Sequence, residues 1–257
     1  MTQATDGRVP GTVRIAAAGD VHCHEGNREA ARRAFAGLDG RADLVLLAGD
    51  LTTHGEPEQA AVLADACSEL SVPVFAVLGN HDVHAERQDE VVAVLEGAGI
   101  HVLDRTAATC TIGGLEIGIV GAKGFVGGFP GSHLPDFGEA LLREVYAETT
   151  RDVEALASGL REIAHCAARV VLLHYAPVSA TLEGEPPGIW TMLGTDRLAA
   201  PIAEHEPDLV LHGHAHAGTF QGAIGSVPVF NVSVPVMERD FWIFEIADLE
   251  RAGAHLH

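Results

Sequence analysis

Four times in this chain an apolar run ends in glycine followed by a residue able to bind a metal ion: IAAAGD closing at Asp20, LVLLAGD at Asp50, FAVLGN at Asn80 and LVLHGH at His214. Four or more apolar residues closed by Gly read as a buried strand that leaves its sheet at a tight turn with no Cβ. The chain must therefore fold so that several strands deliver ligands to one sheet edge. His22, His81, His174 and His216 surround those four positions. That is more oxygen and imidazole donors than one ion needs, and it points to two metals.

The rest of the first half fits the same plan. Strands at 13–18, 44–48 and 74–78 alternate with helical patterns near 27–38, 57–70 and 86–97, and Pro57 suits a first helical turn. This βαβαβ series predicts right-handed crossovers and a parallel sheet. From residue 100 short strands follow near 101–104, 108–112 and 115–120, with Gly113-Gly114 as a hairpin turn, and these are expected to open a second sheet. A helix over 139–167, a strand at 170–174, a helix over 196–206 and a strand at 208–212 come next. Runs at 217–221, 227–232 and 241–246 are expected to complete that second sheet. The expected architecture is α/β, two mixed sheets face to face with helices outside. It is read as one domain over 1–257 with a flexible segment at 1–12.

Composition narrows the partners. With 16 basic residues against 36 acidic ones the net charge is -20, a field that repels polyanions and argues against long nucleic acid. Cys23, Cys67, Cys110 and Cys166 form no CxxC pair, which fits a reducing cytoplasm better than disulfides or a thiolate site. The opening MTQATDGRVPGT has neither a basic region nor an apolar one, and no apolar stretch approaches the ~20 residues that span a bilayer. Neither secretion nor a membrane is expected. Oligomeric state is not readable from the sequence.

Asp20 and His22 are one residue apart, so on an extended exit both can face one side and chelate one cation. A carboxylate has two oxygens, and Asp50 on the adjacent strand is the economical bridge to a second ion. Asn80 offers an amide oxygen; His174, His214 and His216 offer imidazole nitrogens. Mixed N/O donors without thiolate suit Mn, Fe, Zn, Co or Ni and disfavour Mg or Ca. Two such ions about 3.5–4 Å apart clamp an in-line displacement at phosphorus, one of them lowering the pKa of a bound water. The leaving oxygen still needs a proton. His81, beside Asn80, is placed to give it, and Asp82 is expected to orient that imidazole.

The blocks GDVH (Asp20, His22), GD (Asp50), GNHD (Asn80, His81, Asp82), a lone strand-end His174 and GHAH (His214, His216) together resemble the calcineurin-like metallophosphoesterases. The resemblance covers residues 19–216. It implies a four-layer αββα fold and two divalent transition-metal ions, Mn, Fe or Zn. Asp20, His22 and His216 would sit on one ion, Asn80, His174 and His214 on the other, and Asp50 between them. GDLTTHG and GNHD differ from the GDxxDRG and GNHE forms of protein Ser/Thr phosphatases. Thr53 stands where purple acid phosphatases place a tyrosine. The GDLT and GNHD forms look most like bacterial phosphodiesterases of the cyclic-nucleotide type, although LHYAP around His174 departs from the HHPP-like form common there.

The expected activity is hydrolysis of a phosphodiester in a small soluble molecule by metal-bound hydroxide, with His81 as general acid. Phosphomonoesterase activity is the alternative, followed by a nuclease and by a non-catalytic scaffold. The loops 123–138 and 176–194 follow strands that end near the ligands and are expected to wall the substrate. Lys123 and His133 in the first are candidate substrate contacts, and Trp190 in the second with Tyr175 just before it a candidate stacking wall.

Overall fold

A computed structural model describes residues 11–247, so the segment 1–12 expected to be flexible falls almost wholly outside the described residues. The strands are β1 (Val13–Ala18), β2 (Leu44–Ala48), β3 (Val74–Val77), β4 (Ile100–Val102), β5 (Thr106–Ile112), β6 (Leu115–Ala122), β7 (Ala168–Leu173), β8 (Leu209–His212), β9 (Gln221–Ile224), β10 (Val227–Asn231) and β11 (Trp242–Ile246). The helices are α1 (Arg28–Ala36), α2 (Pro57–Cys67), α3 (Gln88–Gly97), α4 (Ala140–Glu162), α5 (Trp190–Leu193), α6 (Ala199–His205) and α7 (Val234–Met237).

Two mixed sheets result. One runs in the order β11-β1-β2-β3-β4 and the other β5-β6-β7-β8-β10-β9. Burial on both faces follows from the continuous apolar runs, because a strand's side chains alternate. Along β7, Val170 and Leu172 join the core between the sheets, whereas Val171 and Leu173 pack toward Leu156 and Leu160 of α4 and Ile202 of α6. The first sheet's outer cover comes from α1, α2 and α3, which bury Phe35, Leu63 and Leu95. The order helix, sheet, sheet, helix is the expected αββα sandwich.

Three expectations change. The run at 101–104 does not open the second sheet, because β4 pairs in parallel with β3 and extends the first. The run at 241–246 does not complete the second sheet either. As β11 it lies antiparallel to β1, with Val13 opposite Ile246. The third concerns 217–221: the strand there starts only at Gln221 and forms β9, a hairpin with β10. Gly113 and Gly114 do turn the β5–β6 hairpin, both with positive φ as a tight primed turn requires.

The parallel strands β1, β2 and β3 and, in the other sheet, β7 and β8 all end at one edge of the sandwich. Their exits continue in register beyond the sheet: the Asp20 amide donates to Gly49 O at 2.9 Å and the His22 amide to Asp50 O at 3.0 Å. The ligand-bearing segments are thus laid side by side before any side chain is considered.

Candidate metal centre

At that edge ligand atoms of Asp20, His22, Asp50 and His216 lie within 4.8 Å of one another, and so do those of Asp50, His174 and His214. Asp50 belongs to both groups. Asn80 joins the second through its Oδ1, 2.8 Å from His174 Nε2. On the first, His216 Nε2 is 2.9 Å from Asp20 Oδ1. All seven residues expected to bind metal are therefore brought together, in two sets that share one carboxylate.

The repeated glycine has a steric cause. A Cβ on Gly79 would fall 2.1 Å from Asp50 Oδ1, one on Gly49 2.5 Å from His174 Nδ1, and one on Gly213 2.5 Å from Asp20 Oδ2. Each glycine thus vacates the volume that a ligand from a neighbouring strand fills. Backbone strain gathers at the same place. Asp20, His22, Asp50 and His214 all have φ between 42° and 71°, and a non-glycine residue held there costs on the order of 1–3 kcal/mol. Packing imposes that cost at the residues that converge.

Electrostatics suit cations. Burial and the neighbouring Asp20 push the Asp50 carboxyl up to about 6. Burial holds the imidazoles of His174 and His214 down at about 4 and about 3, in the neutral form that ligates metal. Burial opposes ionisation of Asp20 too, but the hydrogen bond from His216 and the nearby histidines outweigh it and lower its pKa. Two crowded carboxylates, a half-buried amide oxygen and four imidazoles form a donor set that a pair of divalent transition ions fits.

His81 lies 33% exposed at the rim. Its Nδ1 is 2.8 Å from Thr53 O, an acceptor, so Nδ1 carries a hydrogen there. Nε2 faces the centre, 3.9 Å from Asp50 Oδ2. The His84 ring packs against His81 with centroids 4.4 Å apart. Asp82 does not orient that imidazole as expected. Its buried carboxylate instead accepts from the amides of Thr52 (2.8 Å), Gly79 (2.8 Å) and Leu51 (3.1 Å) and from the Thr52 hydroxyl (2.6 Å), clamping the exit of β2 to that of β3. Thr53 acts through its carbonyl, which leaves no mark in a sequence. For His84 the signal was its spacing of three from His81, which puts both on one side of a helical turn.

The residues expected at the substrate walls are dispersed. Tyr175 is 5% exposed with its ring 4.5 Å from that of His214, so it backs a ligand and offers no open face. Trp190 donates its indole N–H to Glu185 O and packs with Phe129, Ala176, Leu182, Leu193 and Ala215, which makes it a packing anchor. The 176–194 segment that holds it is largely ordered into short turns and α5. His133 Nε2 is 2.9 Å from the Asp196 carboxylate and ties the 123–138 loop to the turn before α6. Lys123 directs its ammonium over the rings of Phe125 (4.6 Å) and Tyr175 (5.1 Å).

A layered α/β sandwich that gathers aspartates and histidines at its strand ends defines a metallophosphoesterase-like protein. Residues 13–218 match the calcineurin-like phosphoesterase family, and the chain belongs to it. Among solved structures it resembles the phosphopantetheinyl hydrolase PptH of Mycobacterium tuberculosis (17% identity, 88% of this chain and 92% of that one, TM-score 0.62). It also resembles TT1561 of Thermus thermophilus (19%, 91% and 98%, 0.58) and GAP50, the anchor in the inner membrane complex of Plasmodium (12%, 93% and 82%, 0.64). At such identities the likeness shows the fold alone. No curated protein matches the sequence. No described helix is long and apolar enough to cross a membrane.

Proposed function

We propose that this chain is a dinuclear-metal phosphodiesterase acting on a small soluble substrate. The observation that carries the reading is Asp50: one buried carboxylate sits in both ligand sets, with the His81 ring beside it. Asp20, His22 and His216 would hold one ion and Asn80, His174 and His214 the other, with Asp50 between. Ions such as Mn, Fe or Zn supply, when bound, charge neutralisation at the phosphoryl oxygens and an activated water.

The protein's own groups do the remainder. Asp50 fixes the spacing of the two sets, and the strained turns at Asp20, Asp50 and His214 hold donors in place without reorganisation. Thr53 O keeps Nδ1–H of His81 occupied, so the proton delivered to the leaving oxygen comes from Nε2. A diester is favoured over a monoester because the GDLT and GNHD blocks look most like those of bacterial phosphodiesterases. The net charge of -20 supports a small substrate over a long polyanion, and four free cysteines are in keeping with a reducing cytoplasm.

The test is metal content of the purified protein together with initial rates on bis-p-nitrophenyl phosphate and p-nitrophenyl phosphate in added Mn²⁺. Two ions per chain and a preference for the diester are expected. Preference for the monoester would replace this reading with phosphomonoesterase activity, and absence of metal-dependent turnover on both would remove it.

A further inference from the structure

Beside the metal centre, on the same edge of the sandwich, lies a cavity of about 150 Å³ whose wall includes Leu78, Val83, Gln88, Asp104 and Lys123. This volume is close to that of a cavity known to hold benzene. Its location is set by the ligand loops. Leu78 and Val83 flank the Gly79–Asp82 turn that carries Asn80 and His81, and the Lys123 carbonyl accepts the amides of His174 (3.1 Å) and Tyr175 (3.0 Å). The Tyr175 ring neighbours both the Lys123 ammonium, at 5.1 Å, and the His214 ring, at 4.5 Å.

Lys123 is the only lysine of the chain. Burial lowers its pKa, and among the described residues it makes no ion pair. Its one hydrogen bond among the described residues is to Gly124 O at 3.2 Å, which leaves two of its three N–H donors without an acceptor there. Arg105, the other cation at the cavity, is already engaged by Asp152 at 2.7 Å and by Glu148. Asp104 contributes a carboxylate to the same wall, and Gln88 an amide. The cavity therefore offers a free donor, free acceptors and two aliphatic surfaces, with charges of both signs. An anionic group would meet Asp104 and a cationic one would meet Lys123. A neutral group with several hydroxyls satisfies both and lays its carbon skeleton on Leu78 and Val83.

We infer that this cavity is the subsite for the organic part of the phosphate ester, that it selects a neutral polyhydroxyl group, and that Lys123 is its main donor. The inference rests on the phosphoesterase reading of the neighbouring centre.

The test compares two small phosphates of equal length, propyl phosphate and glycerol 3-phosphate, which differ by two hydroxyls. Their Kd values for the Mn²⁺-loaded protein are measured by titration calorimetry, which needs no turnover. Glycerol 3-phosphate is expected to bind at least tenfold tighter to the wild type. That ratio should fall close to one in Lys123→Met and recover in part in Lys123→Gln, which restores a donor without charge. Should Lys123→Met fail to fold, Gln88→Leu, also in the cavity wall, reads the same ratio and is expected to lower it. Equal affinities in the wild type, or a ratio unchanged by these substitutions, would overturn the subsite. Binding of neither phosphate would instead strike at the phosphoesterase reading beneath it.

Discussion

The backbone amide of His81 donates to Asp50 Oδ1 at 2.8 Å, so the candidate proton donor is anchored to the carboxylate shared by both ligand sets. The ring follows its backbone, with Nε2 3.9 Å from the other oxygen of Asp50. Any shift of Asp50 therefore moves both the candidate centre and the candidate acid beside it.

Leaving-group chemistry separates proton donation from a positioning role. p-Nitrophenolate departs without a proton, whereas an alkoxide does not. His81→Ala should lose about 10²–10⁴-fold in kcat on a dialkyl phosphodiester and far less on bis-p-nitrophenyl phosphate. Equal losses on both, in steady-state assays at matched metal loading, would assign His81 to substrate positioning.

Gly79→Ala tests whether the strand-end glycine serves the centre. The new Cβ would stand 2.1 Å from Asp50 Oδ1, so the carboxylate has to turn away. The chain is expected to keep its sheets while binding fewer than two metal ions, read as near-native circular dichroism alongside metal analysis. Full metal content would show that the turn yields instead.

Asp82 is expected to matter for stability before it matters for chemistry. Removing a buried carboxylate that collects four donors leaves them unpaired, and each such group costs about 1–3 kcal/mol. Asp82→Ala should therefore lose about 3 kcal/mol or more in urea unfolding, with Asp82→Asn recovering a part. A variant as stable as the wild type would mean that water replaces the clamp.

His212 sets part of the acid sensitivity. Burial holds its imidazole down at about 4, from the ordinary 6.5 that it regains on unfolding. Between those values the unfolded chain binds the extra proton, so this contribution is complete above pH 6.5 and disappears progressively toward pH 4. In metal-free protein, His212→Gln should flatten the fall of unfolding free energy with acidification by up to about 1.4 kcal/mol per pH unit. Asp50 and Asp82, both raised to about 6, act in the opposite direction in both proteins and cancel in the comparison. Parallel profiles from urea titrations at pH 4 to 7 would show that His212 is not kept neutral.

What could be read from the residues was whatever repeats locally. An apolar run, a glycine and a donor state both where a strand ends and what it presents, and six of the seven candidate ligands follow that rule or lie within two residues of it, whereas His174 closes an apolar run that has no glycine. Sheet membership has no such local mark. β4 and β11 have the composition of any strand, and only hydrogen bonding to β3 and β1 decides where they belong. Asp82 misled for a related reason. Its neighbour in sequence is His81, but three of its four donors belong to Leu51 and Thr52, about thirty residues away on β2's exit, which no spacing rule reveals. Tyr175 and Trp190 share the ambiguity of aromatics, whose faces pack against protein as readily as against a ligand.

The pairing of β11 with β1 bears on where this molecule can be divided. Likeness to the family stops at residue 218, yet the strand that presents Asp20 has β2 on one side and residues 242–246 on the other. A fragment ending at 218 would retain every ligand and still leave β1 with a bare row of amides and carbonyls, an invitation to edge-to-edge association between copies. For the Asp20 strand, protection from aggregation is supplied by sequence outside the stretch that defines the family.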